Sequence, residues 1–125
     1  MTPDLTALAR ALVALPGWTW EAGMLTTAGS RVVGVDGQIL LCWALDDLPF
    51  GAIKLAGTAS LPDLLDRATG GVLLDRLGPG WTALRHLDDW WQVYEVPTYQ
   101  GAVRYGSRLS LGESVARAMV ARGRA

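Results

Sequence analysis

Apolar positions at the start of the chain recur at intervals of three and four. Leu5, Leu8, Ala9, Leu12 and Val13 make one stripe, the spacing of an amphipathic helix. Thr2 is placed to cap it, Pro3 takes its first position, Asp4 sits beside the positive end of the dipole, and Pro16-Gly17 stops it. The period then changes to two. Trp18, Trp20 and Ala22 alternate with Thr19 and Glu21, which predicts a short edge strand between Trp18 and Leu25. The runs Arg31 to Val35 and Gln38 to Trp43 flank Asp36-Gly37, a pair suited to a tight hairpin turn with positive φ. Asp46 to Phe50 read as a loop, and Ala52 to Ala56 as one further short strand.

Helical periodicity returns between Leu61 and Leu77, with two candidate starts. Ser60 can cap with Asp63 three residues on, or Asp66 can cap a shorter helix opening at Arg67. Gly70-Gly71 lies inside this helix at a cost of about 1 kcal/mol per glycine relative to alanine. The pair predicts either a kink or a backbone brought close to a sheet. Gly78-Pro79-Gly80 ends the helix, and strands over Trp81 to Leu84, Trp90 to Val96 and Ala102 to Tyr105 follow, with a turn at Pro97 to Gly101. Alternation puts Trp90, Gln92, Tyr94 and Val96 on one face, and Trp91, Val93 and Glu95 on the other. Large apolar groups on both faces predict a strand covered twice, or one open side used for binding.

The final helix opens on Ser110-Leu111-Gly112-Glu113, a capping box in which the serine oxygen takes the Glu113 amide and the Glu113 side chain reaches back. Val115, Ala118, Met119 and Arg122 share one side, Arg117 and Arg122 favour the negative end, and Gly123 closes the helix. The expected fold is α+β: one domain over residues 1–125, with a largely antiparallel sheet of five to seven strands and three helices. The expected order is α-β-β-(β)-α-β-β-β-α.

Composition narrows what such a fold would do. Six tryptophans stand against one histidine and one cysteine in 125 residues. Rings for packing or stacking are plentiful, and the side chains of nucleophilic, proton-transfer and zinc chemistry are scarce. The net charge of −1 gives no field that would draw the chain onto duplex nucleic acid or an anionic membrane. Lys54 is the only lysine, and the arginine excess is what a GC-rich coding sequence produces. Cys42 lies in an apolar run and reads as a buried, inert thiol without a disulfide partner. The opening Met1-Thr2-Pro3-Asp4 lacks a basic signal-peptide region, and no apolar run is long enough to span a bilayer. A cytoplasmic protein is expected.

Gly70-Gly71 and Gly78-Pro79-Gly80 match neither dinucleotide nor P-loop spacing. The pairs Asp46-Asp47 and Asp88-Asp89 read as solvated turn residues, so neither a metal nor a cofactor is expected. His86 lies near Asp88 and Asp89, but no nucleophile elbow accompanies it, and a small hydrolase built on His86 is the weakest reading. Binding is the stronger one. Trp90, Trp91, Tyr94, Tyr99 and Tyr105 lie close in sequence to Arg85, His86, Arg104 and Arg108. This set would sandwich a planar ring and grip its anionic group.

Three stretches carry a resemblance. They are Leu15-Pro16-Gly17-Trp18-Thr19-Trp20-Glu21-Ala22-Gly23-Met24 running on to Arg31-Val32-Val33-Gly34-Val35, the segment from Leu61-Pro62-Asp63-Leu64 to Leu73-Leu74, and Ser110 to Ala118. Together they resemble small, mostly uncharacterised proteins of tailed phages and prophages, some grouped as a sandwich domain with helices on both faces of a sheet. The chain departs from that pattern at Arg67, where such sequences carry proline after the capping aspartate. The resemblance implies a phage accessory or counter-defence factor in the host cytoplasm. Such a factor would bind a small anionic or nucleotide ligand, or block a host defence protein through an aromatic patch. A homo-oligomer would suit either role. The resemblance assigns no functional residue.

Overall fold

In the computed structural model, residues 2–37, 39–43, 53–57, 60–87, 90–95, 104–107 and 110–125 are described. Helix α1 covers Pro3–Val13, followed by β1 (Val32–Asp36), β2 (Ile39–Trp43) and β3 (Ile53–Gly57). Helix α2 covers Arg67–Leu77, followed by β4 (Trp81–Arg85), β5 (Trp91–Glu95), β6 (Arg104–Ser107) and helix α3 (Leu111–Arg122). The α+β class, the antiparallel pairing and the element order are those expected. Among the described residues six strands form two sheets of three, β1-β2-β3 and β4-β5-β6.

Local chemistry accounts for most boundaries. Thr2 Oγ1 accepts the Leu5 amide at 3.2 Å, with proline in the first turn of α1. In the hairpin Asp36 pairs with Ile39, and Gly37 takes φ +59°, a conformation costly for any other residue type. Of the two candidate caps for α2, Asp66 is the one used: its carboxylate accepts the Thr69 amide at 2.9 Å.

The predicted edge strand between Trp18 and Leu25 does not form. The chain turns at Gly23, whose φ is +99°, and only the short bridges Leu25↔Arg31 and Thr26↔Pro62 are made. The positions of Trp18 and Trp20 are set by packing on the core, and alternation there had no strand to pair with. Gly70 also serves a different neighbour from the one expected. A Cβ at Gly70 would stand 2.9 Å from the Gly112 amide nitrogen, so the close approach is to α3, and Gly71 faces open space.

Helix α3 is the hub. It packs on α1, α2, β5 and β6, and Leu111 to Ala116 are all buried, together with Ala118 and Met119. A Cβ on Gly112 would collide with the Leu64 carbonyl oxygen, so only glycine fits that crossing. Ser110 Oγ accepts the Glu113 amide at 3.0 Å and donates to the Leu64 carbonyl at 2.6 Å. Only half of the expected capping box is made. The Ser110 amide donates to Ser107 Oγ instead, Glu113 Oε1 receives Arg117, and Glu113 Oε2 and Ser114 Oγ are buried with no partner among the described residues.

A second anchor joins the N-terminal turn to α2. Arg31 grips Asp66 with two hydrogen bonds, of 2.5 and 3.0 Å, and reaches the Gly23 carbonyl. Burial disfavours the charged Asp66, but the hydrogen bonds from Arg31 and from the Thr69 amide and hydroxyl outweigh it, so its pKa falls below the usual aspartate value. Cys42 is buried and forms no disulfide. Among the described residues no helix is long and apolar enough to cross a membrane.

Candidate functional site

The register of β4, β5 and β6 sorts the candidate residues by face. Thr82, Tyr94 and Arg104 lie abreast, as do Leu84, Gln92 and Gly106, on one side of the sheet. Arg85, Trp91 and Ser107 lie abreast on the other side, as do Ala83, Val93 and Tyr105. This second side faces the core: Trp81, Ala83, Trp91 and Tyr105 pack against it around fully buried Val93. Trp81 and Tyr105 meet with centroids 6.3 Å apart, and the Arg85 guanidinium lies 5.9 Å from the Trp91 ring. Trp91 and Tyr105 are therefore spent on packing, and Arg85 stands at the exposed end of that row.

The outer side collects the remainder. His86 and Trp90 flank the strand ends, and the His86 amide donates to the Trp90 carbonyl at 2.8 Å, continuing the ladder. Their rings stack with centroids 3.8 Å apart and planes 4° from parallel. His86 Nε2 lies 3.0 Å from Gln92 Oε1, which holds a buried amide under the pair. The Trp90 indole extends over Gly106, where a Cβ would stand 3.5 Å from its six-membered ring. Tyr94 carries the Arg104 guanidinium 5.6 Å from its centroid. Leu84 is 44% exposed on the same face, and Leu87 beyond the strand end is fully exposed. The stacked histidine covers one face of the Trp90 indole, and Arg104 does the same for Tyr94. What remains is an open platform of two capped rings, a cation and Leu84, with Leu87 exposed beyond the strand end.

Of the sequence candidates, the structure thus brings His86, Trp90, Tyr94 and Arg104 together and separates them from Arg85, Trp91 and Tyr105. Tyr99 and Arg108 lie outside the described residues, as do Asp46-Asp47, Asp88-Asp89, the loop at Asp46 to Phe50 and the turn at Pro97 to Gly101.

A concave site forms elsewhere, at residues the sequence did not single out. A cleft of about 370 Å3 lies between the end of α1 at Val13, the turn carrying Trp18, Thr19 and Trp20, and the β1–β2 hairpin at Val35 and Gly37, with Ser60 at its margin. Trp18 and Trp20 meet edge to face, centroids 5.8 Å apart and planes at 75°. Arg76 braces this corner from α2. Its guanidinium lies 5.2 Å from the Trp18 ring centroid, Nη2 donates to Thr19 Oγ1 at 3.0 Å, and Nε stands 3.5 Å from Glu21. The alternation Trp18, Thr19, Trp20 was the only signal in the sequence, and it read as a strand.

No protein-family model, curated protein or solved structure matches this chain. The reading of function therefore rests on the chemistry of these two surfaces.

Proposed function

We propose that this chain acts by contact recognition, as a phage-type accessory factor that docks on a host protein through the outer face of β4-β5-β6 and blocks it. The observation that carries this reading is the strand register, which gathers Leu84, His86, Trp90, Tyr94 and Arg104 on one open face. Tryptophan, tyrosine and arginine are the side chains that dominate the energetic centres of protein interfaces. Stacking on His86 fixes Trp90 before any partner arrives, so little side-chain entropy is left to lose on docking. Leu84 and Leu87 supply the apolar area that a lone monomer gains nothing by exposing.

The test is affinity capture from bacterial host lysate with the tagged wild type and with Leu84→Asp and Leu87→Asp variants. A partner held by the wild type and lost from both variants, at unchanged melting temperature, is the expected result. Equal capture by all three overturns the reading. Arg104→Glu is expected to weaken the same capture most strongly at low salt.

The Tyr94–Arg104 pair also favours a second reading, a small anionic ligand such as a nucleotide resting on the same face. That reading predicts a higher melting temperature with added nucleotide, abolished in Arg104→Ala.

A further inference from the structure

We infer that the cleft beside Trp18 and Trp20 is a separate binding site, for an uncharged planar heteroaromatic molecule of one or two rings. Its volume of about 370 Å3 falls at the lower end of the roughly 300–1,000 Å3 range of small-molecule sites. The two indoles meet at 75° and Trp20 is buried, so a third ring laid flat on the partly exposed Trp18 presents its edge to Trp20. Both contacts are favoured aromatic geometries. Val35 of β1 also lines the cleft and is 42% exposed in the free chain, an apolar surface that a bound ring would cover.

The polar groups narrow the class further. Among the described residues lining the cleft none carries a charge, and two, Thr19 and Ser60, carry hydroxyls. Thr19 Oγ1 already accepts from Arg76, which leaves its own proton to donate. Ser60 can donate or accept. A neutral ring with polar atoms on its edge is matched by this lining. A phosphate or carboxylate there would find no cation among the described lining residues, and the nearby Arg76 is already engaged with Trp18, Thr19 and Glu21.

Arg76 is a positioning residue. It holds Trp18 through its guanidinium face and Thr19 through Nη2, from a side chain that is only 12% exposed. The corner is therefore built before a ligand enters, which lowers the entropy lost on binding.

The experiment titrates the intact chain with adenine, cytosine, nicotinamide and indole by calorimetry, follows the indole N–H resonances by NMR, and repeats the series with adenosine 5′-monophosphate. The expected result is one-to-one binding of at least one uncharged ring, shifting the Trp18 and Trp20 resonances and leaving Trp90 in place, with no gain from the phosphate. Val35→Lys, an exposed change expected to alter the melting temperature by less than about 2 °C, should weaken that binding by about tenfold or more. Arg76→Gln should weaken it less and broaden the Trp18 resonance. Trp90→Ala should leave it unchanged. Binding by none of the uncharged rings, binding that requires the phosphate, or binding that survives Val35→Lys would each overturn the assignment. A peptide or a second copy of the chain that shifts the same two indoles, where none of the free rings does, would overturn it as well.

Discussion

Asp66 shows how much one side chain can coordinate here. Its carboxylate caps α2, binds Arg31 in two places and takes the Thr69 hydroxyl, whose oxygen in turn accepts the Leu25 amide at 2.9 Å. Asp66→Ala removes a helix cap and leaves Arg31 without its partner, a loss of about 2 kcal/mol measurable by urea unfolding. The pH dependence has a definite sign. The folded-state pKa lies below that of the unfolded chain, so the unfolded chain binds more protons in acid. The stabilisation is present above about pH 4, the ordinary aspartate range, and is lost as the pH falls through the folded-state value. Asp66→Asn should flatten the acid limb of stability against pH. An unchanged limb would remove Asp66 from the account. Ser114 gives the opposite case: its hydroxyl is buried with no partner among the described residues, so Ser114→Ala should raise stability by about 1 kcal/mol.

Elements were legible in the sequence wherever their signals were local. Thr2-Pro3, Asp36-Gly37, Gly78-Pro79-Gly80 and Ser110 each fixed a boundary through a hydrogen bond or dihedral within a few residues, and each boundary is present. Signals that needed a distant partner were misread. Trp18-Thr19-Trp20 has the alternation of a strand, yet a strand exists only where another pairs with it, and here a turn at Gly23 intervenes. Gly70-Gly71 announced a close approach without saying to what. The two glycines now make a matched pair for thermal unfolding. Gly71→Ala meets open space and should stabilise by up to about 1 kcal/mol, whereas Gly70→Ala must push into the Gly112 backbone and should destabilise. If the two substitutions moved the melting temperature in the same direction, the α2–α3 crossing described above would be wrong.

At the scale of the whole molecule, neighbours along the chain need not be neighbours in space. Rings and arginines were read as one pool because they are neighbours along the chain. Strand parity then divides them, with Trp91 and Tyr105 turned to the core and Trp90 and Tyr94 turned out. Parity alone carried that division, but which side would be covered depended on where α3 packs. The cleft was invisible for a stronger reason. Val13, Trp18, Val35 and Ser60 come from four separate segments, and only the assembled fold brings them together. The fold also ranks substitutions by place. Met119→Ala, at a fully buried position of α3, should cost about 3 kcal/mol, and Leu87→Ala at a fully exposed position less than about 0.5 kcal/mol, both read by urea midpoints.

The seating of Gly112 under the Leu64 carbonyl has a consequence for how the protein is made. A nascent chain that has emerged only as far as Arg108 holds α1, α2, β5 and β6 but not the helix on which these four pack. Its apolar faces then remain open to chaperones and proteases throughout elongation. The packing of α1, α2, β5 and β6 then waits until residues 110–122 clear the ribosome, and chains stalled before that point should be degraded.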